Sequence, residues 1–330
     1  MENVEIYDLI IIGSGPAGLT SSIYASCFHL KHLVIGATAG GQMQLAPHIL
    51  NYPGYKNVSG KELTLRMVEQ VEAMGGIIVR QNATKIRQSP SEQLNETGFE
   101  VETMEGNKYY CRAIILATGT ERRKLNVPGE VEYTSKGIHY CATCEQFDYE
   151  GKICAVIGGA NSAVQAAVEL SQAASKVYII YRGSSLRGDP IWIKQIEKNK
   201  NIEIIYSTHV LEIMGDGKAV NGVKIKEVNS GAEKILAIEK VFIEIGGVPG
   251  TALVIPLGVK TDAGGYIIVD DKLATNVAGI FAAGDLVSYG LSIEQISSAV
   301  GLGARAAATA FAFIKKIRAP ILWGESQIRR

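Results

Sequence analysis

The feature that most constrains this chain is a glycine-rich turn between a buried strand and a helix near the N-terminus. Tyr7 to Ile12 is a strand-like run that is apolar except for Asp8, and Gly13-Ser14-Gly15-Pro16-Ala17-Gly18 follows it. Gly13 permits a tight turn, Gly15 lets the backbone approach a pyrophosphate, and Gly18 lets the following helix pack closely on the strand. With a second strand predicted from Lys31 to Ile35, this pattern indicates a βαβ unit that binds a dinucleotide.

A second βαβ unit begins near the middle of the chain, and its glycine pattern is incomplete. An apolar strand from Lys152 to Ile157 precedes Gly158-Gly159-Ala160-Asn161-Ser162-Ala163. Gly158 and Ala163 fit the pattern, whereas Ala160 stands where glycine would let a pyrophosphate approach. After the next strand, Arg182 and Arg187 are candidate ligands of a 2′-phosphate, and no acid suited to the ribose of NAD follows. We therefore predict a degenerate nucleotide site.

Two such units in 330 residues predict an α/β protein with two Rossmann-like, three-layer domains. Stretches near Arg123 and Gly247 that contain charged residues, glycine and proline mark the points where the chain crosses between the domains. We place the first part of one domain at residues 1–122 and its second part at 249–317. The other domain is inserted at 123–248, and a tail occupies 318–330.

A pair of cysteines separated by two residues, Cys141 and Cys144, lies between the two glycine motifs. Outside oxidising compartments such a pair is more often redox-active than structural, and a thiolate in it would carry out disulfide exchange. A zinc site would need two further soft ligands at matching spacing, which the sequence lacks, so no metal is expected. We interpret the isolated Cys27, Cys111 and Cys154 as buried small hydrophobic residues.

The charge balance argues against several classes of partner. The chain has 33 basic and 33 acidic residues, a formal net charge of zero, which favours neither a nucleic acid nor an anionic membrane. We find no apolar run of membrane-spanning length, and the N-terminus lacks a basic region ahead of a long apolar core. We therefore expect a cytoplasmic protein.

Other segments have the form of ligand-binding loops. Gly40-Gly41-Gln42 and Asn51 lie in a long loop after the second strand, and such loops in compact domains are usually functional. We predict one strand from Lys108 to Cys111 and a buried one from Arg112 to Ala117, which ends in Ala117-Thr118-Gly119. Gly284-Asp285 ends another, and an acid at that position can hydrogen-bond the ribityl hydroxyls of a flavin. Glu294-Gln295 opens the last long helix. Ser59, with Glu62 three residues later, predicts a capping box at the start of an earlier helix.

Taken in order, these motifs resemble the low-molecular-weight thioredoxin reductases, class II flavoprotein disulfide oxidoreductases whose FAD domain is split by an inserted second Rossmann domain. The most specific motif is Cys141-Ala142-Thr143-Cys144, and the others are Gly13 to Gly18, Gly40-Gly41-Gln42, Ala117-Thr118-Gly119 and Ala282-Ala283-Gly284-Asp285. The resemblance implies FAD as cofactor, thioredoxin as partner and a homodimer. It also adds Asn51, Glu294 and Gln295 to the FAD-binding residues.

The resemblance further implies roles for the dithiol. In that family the sulfur at the Cys144 position lies against the flavin, and the sulfur at the Cys141 position attacks the partner disulfide. The acid after the second cysteine manages its proton, and here Glu145 stands where the family usually has Asp. In relatives a large rotation of the inserted domain moves the dithiol between flavin and partner, so the crossings near Arg123 and Gly247 would be the hinges.

The chain departs from the family in two places, at the nucleotide site and in the C-terminal tail. Relatives that use NADPH keep the middle glycine and a His-Arg-Arg cluster followed by another Arg. The corresponding residues here are Ala160, Tyr181, Arg182, Gly183 and Arg187, so NADPH is a doubtful cofactor and ferredoxin or another low-potential protein is a candidate donor. The tail carries Trp323, as in similar divergent members. Trp323 either stacks on the flavin, from its own or the partner subunit, or docks on its own domain.

Three functions remain open on the sequence. The first is an FAD-dependent disulfide reductase that serves thioredoxin. The second is a dithiol oxidase that uses oxygen, as in relatives acting on small dithiol natural products. The third is a non-catalytic flavin redox sensor, whose output would survive replacement of Cys141 or Cys144 by Ser.

Overall fold

The computed structural model describes residues 5–46, 49, 51–91, 96–140, 149–288 and 294–317. The chain divides into two units: one contains residues 1–121 and 248–330, and the other contains residues 122–247. Each unit has a parallel or largely parallel sheet flanked by helices, which confirms the predicted α/β class.

The first unit begins with a strand, a helix and a second strand, as the glycine motif predicts. Its N-terminal part contains β1 (Ile6–Ile12), α1 (Pro16–Cys27), β2 (His32–Ile35), α2 (Gly60–Ala73), β3 (Ile77–Val79), β4 (Ala83–Ser91), β5 (Glu96–Thr103), β6 (Lys108–Leu116) and β7 (Thr120–Arg122). A 3₁₀ helix, Gly41–Leu45, lies in the loop after β2. The capping box predicted at the start of α2 is confirmed in part, because Ser59 Oγ accepts a hydrogen bond from Glu62 N at 3.1 Å.

The second unit has a parallel sheet and a smaller antiparallel one. Its elements are α3 (Glu130–Tyr133), β8 (Ile138–His139), β9 (Ile153–Ile157), α4 (Asn161–Leu170), β10 (Lys176–Ile180), α5 (Pro190–Lys198), β11 (Ile202–Ile205), β12 (Thr208–Gly215), β13 (Val220–Glu227), β14 (Glu233–Leu236) and β15 (Lys240–Ile243). The parallel sheet has the order β11-β10-β9-β15-β8, and β12, β13 and β14 form the antiparallel sheet.

The chain then returns to the first unit and completes it. The remaining elements are β16 (Gly247–Pro249), β17 (Ile267–Ile268), β18 (Ile280–Ala282), β19 (Val287–Ser288) and α6 (Ile296–Lys315). β7 and β16 pair with each other, so the outgoing and returning chains run side by side. Gly250 N donates to Gly119 O and Arg123 N donates to Gly246 O, both at 3.0 Å, in antiparallel order.

The sheet of the first unit brings three strand ends to one edge. β1 runs parallel to β2 and β6, and β18 runs parallel to β6. Leu116 is in register with both Ile12 and Ala282, so the chain leaves β1, β6 and β18 at the same edge. Ile10 and Ile12 pack into one core and Leu9 and Ile11 into the other, because successive side chains point to opposite faces of a sheet.

The sequence predicted two strands, Lys108–Cys111 and Arg112–Ala117, where the structure has the single strand β6. β6 changes partner along its length. Its first residues pair antiparallel with β5, and its last three pair parallel with β18. Exposure therefore falls along the strand, and this change in pattern resembles a boundary between two strands.

Two expectations about apolar residues were wrong. Cys111 and Cys154 are buried, but Cys27 is exposed because it is the last residue of α1. The second expectation was that no apolar run reaches membrane-spanning length, but α6 is long and apolar enough to cross a membrane by length and composition. A core helix of a soluble protein passes the same test, and a methyl group at Gly303 of α6 would collide with Ala17 O of α1, so the two helices pack closely.

Candidate functional site

The glycine turn after β1 combines one open position with two tightly packed ones. Gly13 has φ +110°, and a methyl group there would collide with Ala117 O. A methyl group at Gly18 would collide with Gly13 O, so α1 lies directly against the turn. No atom lies within 4 Å of the methyl position at Gly15, the residue that precedes α1. The N-terminus of α1 therefore faces open space, as pyrophosphate binding by a helix N-terminus requires.

A second loop is attached to this turn. Gly40 N donates to Ser14 O at 2.7 Å, and Ser14 Oγ donates to Thr38 O at 3.0 Å. Farther along the loop, Gln42 Nε2 donates to the backbone oxygen of Thr120 and, at 3.1 Å, to Thr120 Oγ1. The structure thus brings the predicted Gly40-Gly41-Gln42 motif beside the glycine turn. Sequence analysis missed Thr120, which lies directly after the Ala117-Thr118-Gly119 motif.

The ends of β6 and β18 adjoin the same turn. Ala117 N donates to Ile12 O at 2.7 Å, and Ala283 N donates to Leu116 O at 2.9 Å. A methyl group at Gly284 would lie 3.0 Å from Ala17 Cβ, which places the end of β18 against the first turn of α1. Asp285 follows at this edge and is half-buried. Thr118 Oγ1 donates to Gly250 O at 2.8 Å and ties the end of β6 to the returning chain.

The start of α6 contributes two more of the predicted residues. Asn51 Nδ2 donates to Gln295 Oε1 at 2.6 Å, although the two residues are far apart in sequence. The hydroxyl of Tyr266 donates to Glu294 Oε1 at 3.3 Å. Burial and the charge of Glu294 raise the pKa of Tyr266, and Asp285 adds to the effect. Tyr266 carries no motif in the sequence, so sequence analysis could not have identified it.

The glycine turn of the second unit differs from the first because the chain itself covers it. A methyl group at Gly158 would collide with Glu244 O, so this turn is as tight as the one at Gly13. Ala160 caps α4 in the position that Gly15 has before α1. The segment after β10 then pairs with the turn: Arg187 N donates to Gly159 O at 2.7 Å, and Ala160 forms a β-bridge with Arg187.

The ring of Tyr181 lies on this second turn. A methyl group at Gly159 would stand 2.5 Å from three of its ring atoms, and one at Gly183 would stand 2.6 Å from Tyr181 Cε1. The ring is therefore enclosed by both glycines, and Tyr181 is only 9% exposed. The guanidinium carbon of Arg187 lies 6.0 Å from the ring centroid. Arg182 and Arg187 are themselves exposed.

The predicted dithiol residues Cys141, Cys144 and Glu145, and also Trp323, lie outside the residues that the structure describes. The residues that flank the dithiol are described. His139 stacks on Phe242 of β15 with ring centroids 5.1 Å apart, and Tyr149 meets the same ring edge-on at 6.0 Å. The chain thus enters and leaves the dithiol segment against one aromatic ring.

Comparisons with known proteins agree with this arrangement. Residues 7–303 match the family model described as pyridine nucleotide-disulphide oxidoreductase. The chain is 36% identical to the thioredoxin reductase of Listeria innocua over 315 residues, which cover 95% of this chain and 96% of that protein. The crystal structure of thioredoxin reductase from Streptococcus pyogenes is 36% identical with a TM-score of 0.78, over 94% of this chain and 99% of that one. A ferredoxin-flavin thioredoxin reductase from Clostridium acetobutylicum is 30% identical with a TM-score of 0.51, over 95% and 99% of the two chains.

Proposed function

We propose that this chain reduces thioredoxin with electrons from a donor other than NADPH. The premise is that the chain belongs to the pyridine nucleotide-disulphide oxidoreductase family and is a thioredoxin reductase-like flavoprotein. The observation that supports this choice of electron donor is the contrast between the two glycine turns. The turn at Gly15 is open, whereas the turn at Gly159 is covered by Tyr181 and by the segment that contains Arg187.

A nicotinamide nucleotide would have to place its pyrophosphate on the second turn. The Ala160 methyl group, the Tyr181 ring and the hydrogen bond from Arg187 N to Gly159 O oppose that approach. Binding would require the segment after β10 to move away. The apparent affinity would then equal the intrinsic affinity multiplied by the fraction of molecules in which the segment has moved. The closed second turn therefore favours a different electron donor.

The class of donor that we favour is a low-potential iron-sulfur protein. One relative is named a ferredoxin-flavin thioredoxin reductase, and this chain covers 99% of its length. That name supports ferredoxin as a candidate donor for this chain. We also propose a cytoplasmic homodimer, as the resemblance and the composition suggest.

The open turn in the first unit fits FAD. The N-terminus of α1 would hold its pyrophosphate at Gly15, and Asp285, at the end of β18, would accept hydrogen bonds from its ribityl hydroxyls. Gly13, Gly18, Gly40 and Gly41 keep the backbone close around this space. Bound and reduced, FAD would supply the two electrons that convert the Cys141–Cys144 disulfide to a dithiol.

The dithiol then carries out the exchange with thioredoxin. The Cys141 thiolate attacks the thioredoxin disulfide, forms a mixed disulfide and releases one thioredoxin thiolate. Cys144 attacks the Cys141 sulfur of the mixed disulfide, which releases reduced thioredoxin and leaves Cys141–Cys144 oxidised. In this proposal Glu145 holds the proton that Cys144 exchanges.

The test is anaerobic reduction of the purified flavoprotein. NADPH, NADH and reduced ferredoxin are mixed with it separately, and flavin absorbance is followed before and after addition of oxidised thioredoxin. We expect ferredoxin to bleach the flavin, thioredoxin to restore it, and neither nicotinamide to act at a comparable rate. Rapid bleaching by NADPH would refute the proposed donor and leave an ordinary thioredoxin reductase.

Two further outcomes would identify the alternative functions. If thioredoxin does not reoxidise the flavin but oxygen and a small dithiol turn over with release of peroxide, the protein is a dithiol oxidase. If Cys141→Ser and Cys144→Ser leave every output intact, the protein is a flavin redox sensor.

A further inference from the structure

The sheet of the first unit determines the direction in which FAD would extend from the first glycine turn. In a dinucleotide-binding unit the adenosine ribose lies near the end of the second strand. In this unit β2 lies on one side of β1, whereas β6 lies on the other side with β18 next to it. With its pyrophosphate at Gly15, FAD would therefore extend its flavin half over the ends of β6 and β18, where Asp285 lies.

The last helix, α6, runs parallel to α1 and starts beyond it. Gly303 of α6 packs on Ala17, the second residue of α1. Farther along, the ring of Phe311 lies 5.0 Å from the ring of Phe28, which follows the end of α1. The residues of α6 that precede Gly303 therefore extend past the N-terminus of α1.

This extension lies beside the end of β18. A methyl group at Gly284, which follows β18, would stand 4.0 Å from Ala299 Cβ in the first turns of α6. Glu294 and Gln295 directly precede the helix. Both residues therefore lie on the side of the site toward which the flavin half would extend.

The hydroxyl of Tyr266 holds Glu294 on that side. It donates to Glu294 Oε1 at 3.3 Å. Ile267 N donates to Leu286 O at 2.9 Å, so Tyr266 is fixed next to the chain that follows Asp285. Burial raises the pKa of Tyr266 most, and the charges of Glu294 and Asp285 raise it further. The two carboxylates therefore lie within electrostatic range of one hydroxyl.

The charge of Glu294 has no basic partner in the part of the chain that the structure describes. Its side chain is exposed, and the Tyr266 hydroxyl is its hydrogen-bond donor there. A hydrogen bond from a neutral hydroxyl leaves the net charge of the carboxylate unchanged. Glu294 therefore adds a negative charge to the field on this side of the site.

Reduction makes the flavin itself more negative. Two electrons enter the ring, and above the pKa of its N1 atom only one proton accompanies them, so the cofactor gains one negative charge. Like charges repel at every separation, and a carboxylate on this side therefore disfavours the reduced state. Charged groups near the ring are among the protein features that tune a flavin.

We infer that Glu294, held by the Tyr266 hydroxyl, lowers the reduction potential of FAD bound to the first unit. This inference rests on the proposed function, because it requires FAD on the first glycine turn. It also deepens that function: a flavin of lower potential needs a donor of low potential, which is the class of donor proposed above.

The test is the two-electron potential of the bound flavin at pH 8, measured anaerobically against a reference dye in wild type, Glu294→Gln and Glu294→Lys. We expect Glu294→Gln to raise the equilibrium constant for flavin reduction roughly two- to tenfold. That change corresponds to about 10 to 30 mV for two electrons. Glu294→Lys, which changes the charge by two, should raise the potential about twice as far. Both increases should shrink as the ionic strength rises, because the side chain is exposed.

The matched control is Glu5→Gln. Glu5 is an exposed carboxylate that also accepts from a tyrosine hydroxyl, that of Tyr7 at 3.2 Å, and its exposed ion pair with Lys31 contributes little to stability. Glu5 precedes β1 and so lies at the opposite edge of the sheet. We expect Glu5→Gln to keep the wild-type potential.

The variant Tyr266→Phe separates charge from hydrogen bonding, because it removes the hydroxyl and keeps the carboxylate. It should change the potential less than Glu294→Gln does. The inference is overturned if Glu294→Gln keeps the wild-type potential, or if Glu5→Gln or Tyr266→Phe raises it as far. A wild-type protein that binds no FAD overturns the proposed function as well, whereas a flavin that ferredoxin reduces, at the same potential in wild type and Glu294→Gln, overturns this inference alone.

Discussion

Replacement of Tyr181 by Ala should open the second glycine turn to nicotinamide nucleotides. For a nucleotide to enter the wild type, the chain must give up the burial of the Tyr181 ring, the hydrogen bond from Arg187 N to Gly159 O and the contact of Arg187 with the ring. These contribute about 1.5 to 3, about 0.5 to 1.5 and about 0.5 to 1 kcal/mol respectively. The total of about 2.5 to 5.5 kcal/mol weakens nucleotide binding by a factor of roughly 10² to 10⁴.

The variant removes the two contributions that depend on the ring. Only the backbone hydrogen bond would still oppose binding, so NADPH should bind Tyr181→Ala roughly 30- to 1,000-fold more tightly than it binds the wild type. Titration calorimetry with NADPH measures this difference without a requirement for flavin reduction. Loss of a buried aromatic side chain costs stability, about 3 to 5 kcal/mol at a fully packed site, so the fold of the variant must be checked by thermal unfolding.

Two control variants test the physical reason. Tyr181→Phe keeps the ring on Gly159 and should remain closed to NADPH. Tyr178→Ala removes a tyrosine from β10, the strand that ends directly before Tyr181, and it should also leave nucleotide binding unchanged. The Lys176 Nζ atom lies 5.5 Å from the centroid of the Tyr178 ring. The reasoning is refuted if folded Tyr181→Ala binds NADPH no better than wild type, or if Tyr178→Ala gains as much affinity.

Three more predictions follow from other contacts. Gly15→Ala should fold normally because its methyl group enters open space, but it should lose flavin on dialysis because that space is the proposed pyrophosphate site. Gly18→Ala should instead lower the melting temperature, because its methyl group collides with Gly13 O. Equal flavin retention by wild type and Gly15→Ala would contradict this prediction. Burial lowers the pKa of His32, so its contribution to stability is complete above the unfolded value of about 6.5 and declines as the pH falls below it. Melting temperatures at pH 8 and pH 5.5 should therefore differ more for wild type than for His32→Gln, and equal differences would show that His32 is not responsible. Cys144→Ser should abolish thioredoxin reduction while the electron donor still bleaches the flavin; sustained thioredoxin turnover in the variant would exclude the proposed exchange.

The sequence predicted features that depend on near neighbours. The positive φ at Gly13 and the close packing of Gly18 on Gly13 O involve residues of the same motif. The cap at Ser59 is likewise contained within one helical turn. Such features follow from backbone geometry, which a short pattern is sufficient to specify.

Features that depend on distant partners could not be predicted in this way. The pattern identified Tyr181 only as a departure from a phosphate-binding cluster, and the position of its ring on Gly159 requires the segment after β10 to fold back. The hydrogen bond between Tyr266 and Glu294 joins two separate segments, and Tyr266 belongs to no recognisable motif. The single strand β6 was missed because one of its edges pairs first with β5, which is adjacent in sequence, and then with β18, which lies far along the chain.

The pairing of β7 with β16 has a consequence for how this chain folds. The first unit is interrupted by residues 122–247, and a disordered insertion of that length would cost more loop-closure entropy than a short turn when the two halves of the unit join. The hydrogen bonds of Arg123 with Gly246 and of Gly119 with Gly250 hold the ends of the insertion together. Once the second unit has folded, the first unit is connected as if by a short hairpin, and its late strand β18 can join β6 at little further entropic cost. Early folding of the inserted unit would therefore speed assembly of the flavin-binding unit.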